Sequence, residues 1–451
     1  LTLRCFSQDS NFDQLSFRSN YDQPTVNSET LTETYAFSGI DRIFDHHTKA
    51  INRLRFANND HTRLAIASAD GTISLCYILP PECQNHVVHL TGGHRFGASV
   101  TDVAWSLGND FLVSTAVDGS VCVWDAVSGS VKRHYTAESL NMGPVLVCAF
   151  QPQNYNLLVV GGAWGVIQTL NLSTGKLIKT GRDQIHLTRF KPLSTRTTHR
   201  RPADTQILEF HCTGTGSITA MTFEPATGTC LWVGTDRGVI QSYLCIPSSG
   251  QLTRSHRIDF ASIYATPGKN HRGKLSRLNP MMLRRKSPGD SAHPYHSVTS
   301  LSFHSWLSNQ NQGHYLLGNA AGLGLLLLEV IPFSGGNLIV RRQFPLRHNP
   351  PSGGQRVRLI HSGLAPLLSM RSGACAVTGS EDSIVYLFDV LVQGRGGVST
   401  APLHPGLVTM LQGHTAPVLD VAIGWDESVL ASGDENGTVI VWRRMQSSDR
   451  L

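Results

Sequence analysis

The segment LVSTAVDGSVCVWD at residues 112–125 returns near the far end of the chain as LASGDENGTVIVWR at 430–443. Each copy sets two arms of alternating apolar residues around a central pair, Asp118-Gly119 or Asn436-Gly437. Glycine takes the positive φ of a two-residue hairpin turn without steric cost, so each copy reads as strand, tight turn, strand. A third copy, LAIASADGTISLC, spans 64–76, and weaker copies start at Leu158, Leu231, Leu316 and Ala376. Seven such units follow one another along the chain. A single hairpin leaves its apolar faces in water, so a chain built this way must stack its units on one another.

Upstream of each hairpin lies a short apolar stretch, at 51–56, 100–105, 145–150, 218–223, 298–303, 357–360 and 418–423. A further strand candidate between units, such as 131–135 or 408–411, brings each unit to four strands, which is the blade of a β-propeller. Too few residues follow Trp442 for another outer strand and its turn, so the last blade must take its fourth strand from the segment around 42–44. The expected fold is all-β, a seven-bladed propeller over 35–446 closed by an N-terminal strand. Residues 1–34 are expected to be disordered and 447–451 to form a tail.

Gly93-His94 and Gly413-His414 precede units that end in Val123-Trp124-Asp125 and Val441-Trp442. These residues resemble the WD-repeat family. The resemblance implies a hydrogen-bonded set of His, strand Ser, turn Asp and Trp, matched in the second unit by His94, Ser114, Asp118 and Trp124. In the seventh unit His414, Ser432 and Trp442 match, while Asn436 stands where the Asp would be. In the sixth, Phe388 replaces the Trp. Smaller or water-bridged networks are expected in those two blades, and units three to five barely keep the signature. A buried indole N–H and a buried hydroxyl both need partners, so the set is structural. A Ser, a His and an Asp together also raise nucleophilic catalysis, but a loop His and a mid-strand Ser on a packed face do not form an open site.

Other chemistry is sparse. The nine cysteines form no Cys-x-x-Cys pair and sit at no zinc-finger spacing, which points to a reducing, intracellular compartment. The twenty histidines are dispersed, and adjacent His46 and His47 do not readily share one metal. Gly214-Thr215-Gly216 and Gly322-Leu323-Gly324 lack the helix and spacing of a phosphate-binding turn. The acceptor patterns at Asn171 and Asn436 are short enough to recur by chance. No apolar run approaches the roughly 18 residues of a membrane span. Neither a metal, a cofactor, a membrane nor a small-molecule substrate is expected.

The formal net charge is +6, yet residues 254–286 hold nine Lys or Arg against Asp259, and 179–202 hold seven against Asp183. The remainder of the chain is therefore net acidic. Both basic stretches are rich in Ser, Thr, Pro and Gly and fall between units, as expected loop insertions at 179–213 and 254–296. Lengthening a connection to some forty residues adds on the order of 2 kcal/mol of closure entropy, which a closed ring tolerates. Arg284, Arg285 and Lys286 followed by Ser287-Pro288 form a candidate nuclear-import patch with a phosphorylation site, and nucleic acid is a candidate partner of these loops. Such binding would be nonspecific and steeply salt-dependent.

Longer runs, at 35–47, 53–60, 103–115, 171–176, 372–382 and above all 411–444, resemble a branch of the WD-repeat family described as nuclear and linked to chromatin and transcription. That resemblance covers about three quarters of the chain and leaves out both basic insertions. It implies a non-enzymatic scaffold for nuclear regulatory or chromatin proteins, located in the nucleus with the cytoplasm as a second compartment. The alternative function is a substrate receptor of a cullin-type ubiquitin ligase. Its usual Trp-Asp-x-Arg motif fails here, because Ala126-Val127 follow Trp124-Asp125 and Arg443 follows Trp442.

Overall fold

A computed structural model of the chain describes residues 37–78, 86–178, 210–211, 216–260, 296–306, 312–331, 337–346, 357–366, 374–391 and 406–444. These residues form seven antiparallel sheets, and the innermost strand of each sheet contacts the innermost strands of the two neighbouring sheets until the circle closes. The protein is a seven-bladed β-propeller. Blade two shows the pattern: Val100–Trp105 lines the axis, Phe111–Ala116 and Val121–Asp125 form the hairpin, and Val131–Tyr135 is the outer strand. In the hairpin turns Gly119 has φ +83° and Gly437 φ +99°, the conformation that the Asp-Gly and Asn-Gly pairs announce.

Hairpin strands alternate sides, and both sides are buried. Leu112 and Trp124 pack with Ala65, Leu75 and Leu90 of blade one, whereas Val113 and Val123 pack with Leu158 and Val166 of blade three. Seven apolar clusters result, each shared by two adjacent blades. No blade owns its core, so stability resides in the interfaces between neighbours.

The last interface is made by the N-terminal strand Phe37–Phe44, which pairs with Val439–Arg444 as the fourth strand of blade seven. Asp41 receives Arg443 Nε at 2.9 Å, and Phe44 packs between blade seven and blade one. The strand expected around 42–44 is therefore present and longer than its apolar residues suggest.

Two expectations need correction. The innermost strand of blade six is Ser362–Leu364 rather than 357–360. Ile360 is buried but leads into the strand, and Ser-Gly-Leu carries no alternating apolar signal. The insertion expected from Arg254 begins later, because Leu252–Asp259 is the outer strand of blade four, anchored at its ends by buried Leu252 and Phe260. An outer strand turns one edge to water, so its arginines disguise it as loop. Within the other insertion, Phe210–His211 pairs with Val166–Asn171 of blade three. The remainder of both insertions, the segment 1–34 and the tail lie outside the described residues.

Polar side chains staple neighbouring innermost strands. The second residue of such a strand donates to the start of the next: Asn52 Nδ2 to Val100 O (2.6 Å), Thr101 Oγ1 to Val145 O (2.6 Å), Thr219 Oγ1 to Val298 O (2.5 Å) and Thr299 Oγ1 to Ile360 O (2.8 Å). Asp102 reinforces the junction of blades two and three by accepting the Cys148 N–H at 2.9 Å, and Asp420 spans that of blades seven and one by accepting the Leu54 N–H at 2.7 Å.

Candidate functional site

In blade two the four expected residues meet. Trp124 Nε1–H donates to Ser114 Oγ at 2.7 Å, and Ser114 Oγ lies 2.6 Å from His94 Nε2. With His94 neutral and protonated on Nδ1, the chain continues from Nδ1 to Ser120 Oγ at 2.7 Å and from that hydroxyl to Asp118 Oδ1 at 2.6 Å. Asp118 thus reaches the histidine through Ser120, since its carboxylate is 3.9 Å from Nδ1. Its other oxygen accepts the Arg95 N–H at 2.8 Å and fixes the loop that follows His94. Gly93 is required because a Cβ there would overlap the Trp124 ring. Ser114 is fully buried and both its polar neighbours are internal, so this set cannot attack a substrate.

Blade seven corrects the expectation of a reduced network. Trp442 Nε1–H donates to Ser432 Oγ at 2.8 Å, Ser432 meets His414 Nε2 at 2.7 Å, and His414 Nδ1 meets Asp434 Oδ2 at 2.9 Å. The carboxylate comes from Asp434, two residues before Asn436, at the end of the strand Val429–Asp434. Asn436 only donates its backbone N–H to Asp434 Oδ1.

Blade one builds a related network that no signature announces. Ile66 occupies the place of Ser114, and the hydroxyl moves across the ladder to Ser74, its paired residue. Ser74 Oγ lies 2.8 Å from His46 Nε2 and 2.7 Å from His47 Nε2, while His47 Nδ1 lies 3.1 Å from Asp70. In blade six Tyr386 OH donates to Asp382 Oδ2 at 2.6 Å, while Phe388 fills the Trp place. Blades three and four use Gln168 and Gln241 at the position of Cys122, donating to the Leu140 and His256 carbonyls at 2.7 Å.

These networks hold one face of the ring together. A Cβ at Gly71 in the blade-one turn would touch Gly97 and Ala98, and one at Gly119 would touch Ala137 and Gly143. Gly143 in turn abuts Trp164 in the hairpin turn of blade three. Along this continuous run of turns Phe96 is fully exposed, Trp164 is 61% exposed and Val117 40%. Large apolar groups held in water on these loops are candidate contact points for other molecules.

Burial pushes His94 down to about 4 against the opposing pull of Asp118, and burial with neighbouring His47 does the same to His46. A histidine with a depressed folded-state pKa stabilises the fold fully above its unfolded value, near 6.5, and loses that contribution as pH falls towards 4. For His94 the loss is roughly 2 kcal/mol by about pH 5. Urea midpoints for the wild type and His94→Gln at neutral pH and near pH 5 check this. The wild type should lose about that much more than the variant, and equal losses would contradict the assignment.

The family model "WD domain, G-beta repeat" matches residues 40–76, 85–125 and 406–443. Those are the blades in which the structure places a His–Ser–Asp set. These three stretches of the chain are WD repeats. Protein tipD of Dictyostelium discoideum is 32% identical over 59 residues, covering 13% of this WD-repeat protein and 10% of the relative. Retinoblastoma-binding protein 5 homolog of Drosophila melanogaster is 29% identical over 103 residues, covering 23% of this chain and 19% of its own. The WD-repeat protein thus spans less than a fifth of either relative. Among the described residues no cluster of His, Cys, Asp or Glu is arranged for a metal ion, and no helix is long and apolar enough to cross a membrane. The patch Arg284, Arg285, Lys286 and Ser287 lies outside the described residues.

Proposed function

We propose that this WD-repeat protein is a non-enzymatic protein-interaction scaffold and, within that class, a nuclear, chromatin-associated transcriptional co-regulator. The observation that carries the scaffold reading is the pairing of a hydrogen-bonded frame with exposed anchors. Asp118 pins the Arg95 N–H, and the next residue, Phe96, stands entirely in solvent. Aromatic residues presented on a rigid support lose little conformational entropy when a partner covers them, which is how a few side chains come to dominate an interface.

The nuclear assignment is supported by sequence. The runs at 35–47, 53–60, 103–115, 372–382 and 411–444 resemble WD repeat-containing protein 13, and one partial relative is named as a homologue of retinoblastoma-binding protein 5. The basic patch at 284–286 supplies a candidate import signal, and its neighbour Ser287 a site where phosphate would weaken it. Affinity purification of the tagged chain from nuclear and cytosolic fractions tests the assignment. Nuclear regulatory proteins should be recovered from the nuclear fraction. A chain excluded from nuclei, with cytosolic partners only, would refute it.

A further inference from the structure

The innermost strands enclose a cavity of about 470 Å³ on the propeller axis, within the size range of small-ligand pockets. Arg53 and Arg55 of blade one, Ser300 and Ser302 of blade five and Ser362 of blade six contribute to its wall. Asn58 and Trp425, in turns that follow innermost strands, place its opening at the opposite end from the loop bearing Phe96. No carboxylate is among its lining residues.

The two cations differ in their partners. Arg53 Nε lies 2.8 Å from Asp102 Oδ1. Among the described residues Arg55 makes one hydrogen bond, from Nη1 to the Leu54 carbonyl at 3.2 Å, and no ion pair. Asp420 and Asp102 support it electrostatically without an ion pair, and the Asp420 oxygens accept the Leu54 and Val421 N–H groups at 2.7 and 2.9 Å. Ser362 Oγ is buried and makes no hydrogen bond. Burial, reinforced by the field of the two guanidiniums, holds neighbouring His361 far below the ordinary histidine range. The Ser362 hydroxyl has no acceptor and the Arg55 guanidinium uses one of its five N–H donors, so both have donors to spare for the oxygens of a ligand.

We propose that the axial cavity binds a small molecule through a phosphate group, with Arg55 and Ser362 donating to its oxygens. The donors arrive from blades one and six, on different walls, which suits a tetrahedral group with oxygens in several directions better than a planar carboxylate. Met221, Leu301 and Trp425 supply apolar wall for the organic part. The site is separate from the loop face assigned to protein partners.

Isothermal titration calorimetry of the full chain with inorganic phosphate and with phenyl phosphate tests this. Saturable binding is expected for both, tighter for phenyl phosphate because its ring meets the apolar wall. Arg55→Gln should weaken binding roughly tenfold or more, the scale of one charge-assisted contact, and Ser362→Ala should weaken it less. Circular dichroism checks that each variant is folded. Ligand should also raise the wild-type melting temperature, since it binds only the folded chain, and that readout stands even if Arg55→Gln misfolds. Absence of saturable binding to the wild type, or equal affinity in folded Arg55→Gln and Ser362→Ala, would overturn the proposal.

Discussion

Trp124→Ala should destabilise the protein by about 3–5 kcal/mol, the cost of emptying a large buried aromatic site. Trp124 is 1% exposed and belongs to the cluster shared by blades one and two, so the cavity opens at an interface rather than inside a blade. The indole also anchors the polar chain, since its N–H is the donor to Ser114. Trp124→Phe separates these effects: the ring remains, the donor goes, and about 1–3 kcal/mol should be lost. A double-mutant cycle between Trp124→Phe and Ser114→Ala should return a coupling of about 0.5–3 kcal/mol, measured from urea midpoints. Additive losses would show that the network is a geometric coincidence. The total stability of a folded chain is commonly about 5–15 kcal/mol, so the alanine variant should be near its limit at body temperature.

Removing residues 37–44 should abolish the monomeric fold. That strand supplies the pairing partner of Val439–Arg444, the Asp41 acceptor of Arg443 and the buried Phe44 side chain. Phe44 alone accounts for about 3–5 kcal/mol. Its loss also bares a strand whose valines and Trp442 are core residues, an open edge of the kind that pairs with other chains. Size-exclusion chromatography with light scattering should show aggregates, and a peptide of residues 37–44 added in trans should restore part of the monomer. A truncated chain that stays monomeric with an unchanged melting temperature would mean that the ring does not depend on this closure.

What the sequence makes legible follows from locality. The Asp118-Gly119 and Asn436-Gly437 turns and the alternation beside them depend on residues next to one another, so seven hairpins could be counted and the need for a closing strand deduced. His94, Ser114, Asp118 and Trp124 were legible as a set through the resemblance to WD repeats, because one blade keeps every member. The substitutes were not. Ser74 replaces Ser114 only because residue 66 pairs with 74, and Asp434 serves His414 from a position two residues away from the usual turn. The staples from Asn52, Thr101, Thr219 and Thr299 end on backbone carbonyls of the next blade, which have no sequence signature. The axial cavity is more hidden still. Arg55, Ser302 and Ser362 lie far apart in the chain and meet only when the ring is closed.

The central claim is that the hydrogen-bonded ring holds apolar loop residues out for protein partners. Affinity purification with the wild type and with a Phe96→Ala/Trp164→Ala double variant, compared by quantitative mass spectrometry, tests it most directly. Both side chains are largely in solvent, so circular dichroism and melting temperature should be unchanged while partner recovery falls at least several-fold, as for loss of central interface anchors. Undiminished recovery by a normally folded double variant would contradict the claim.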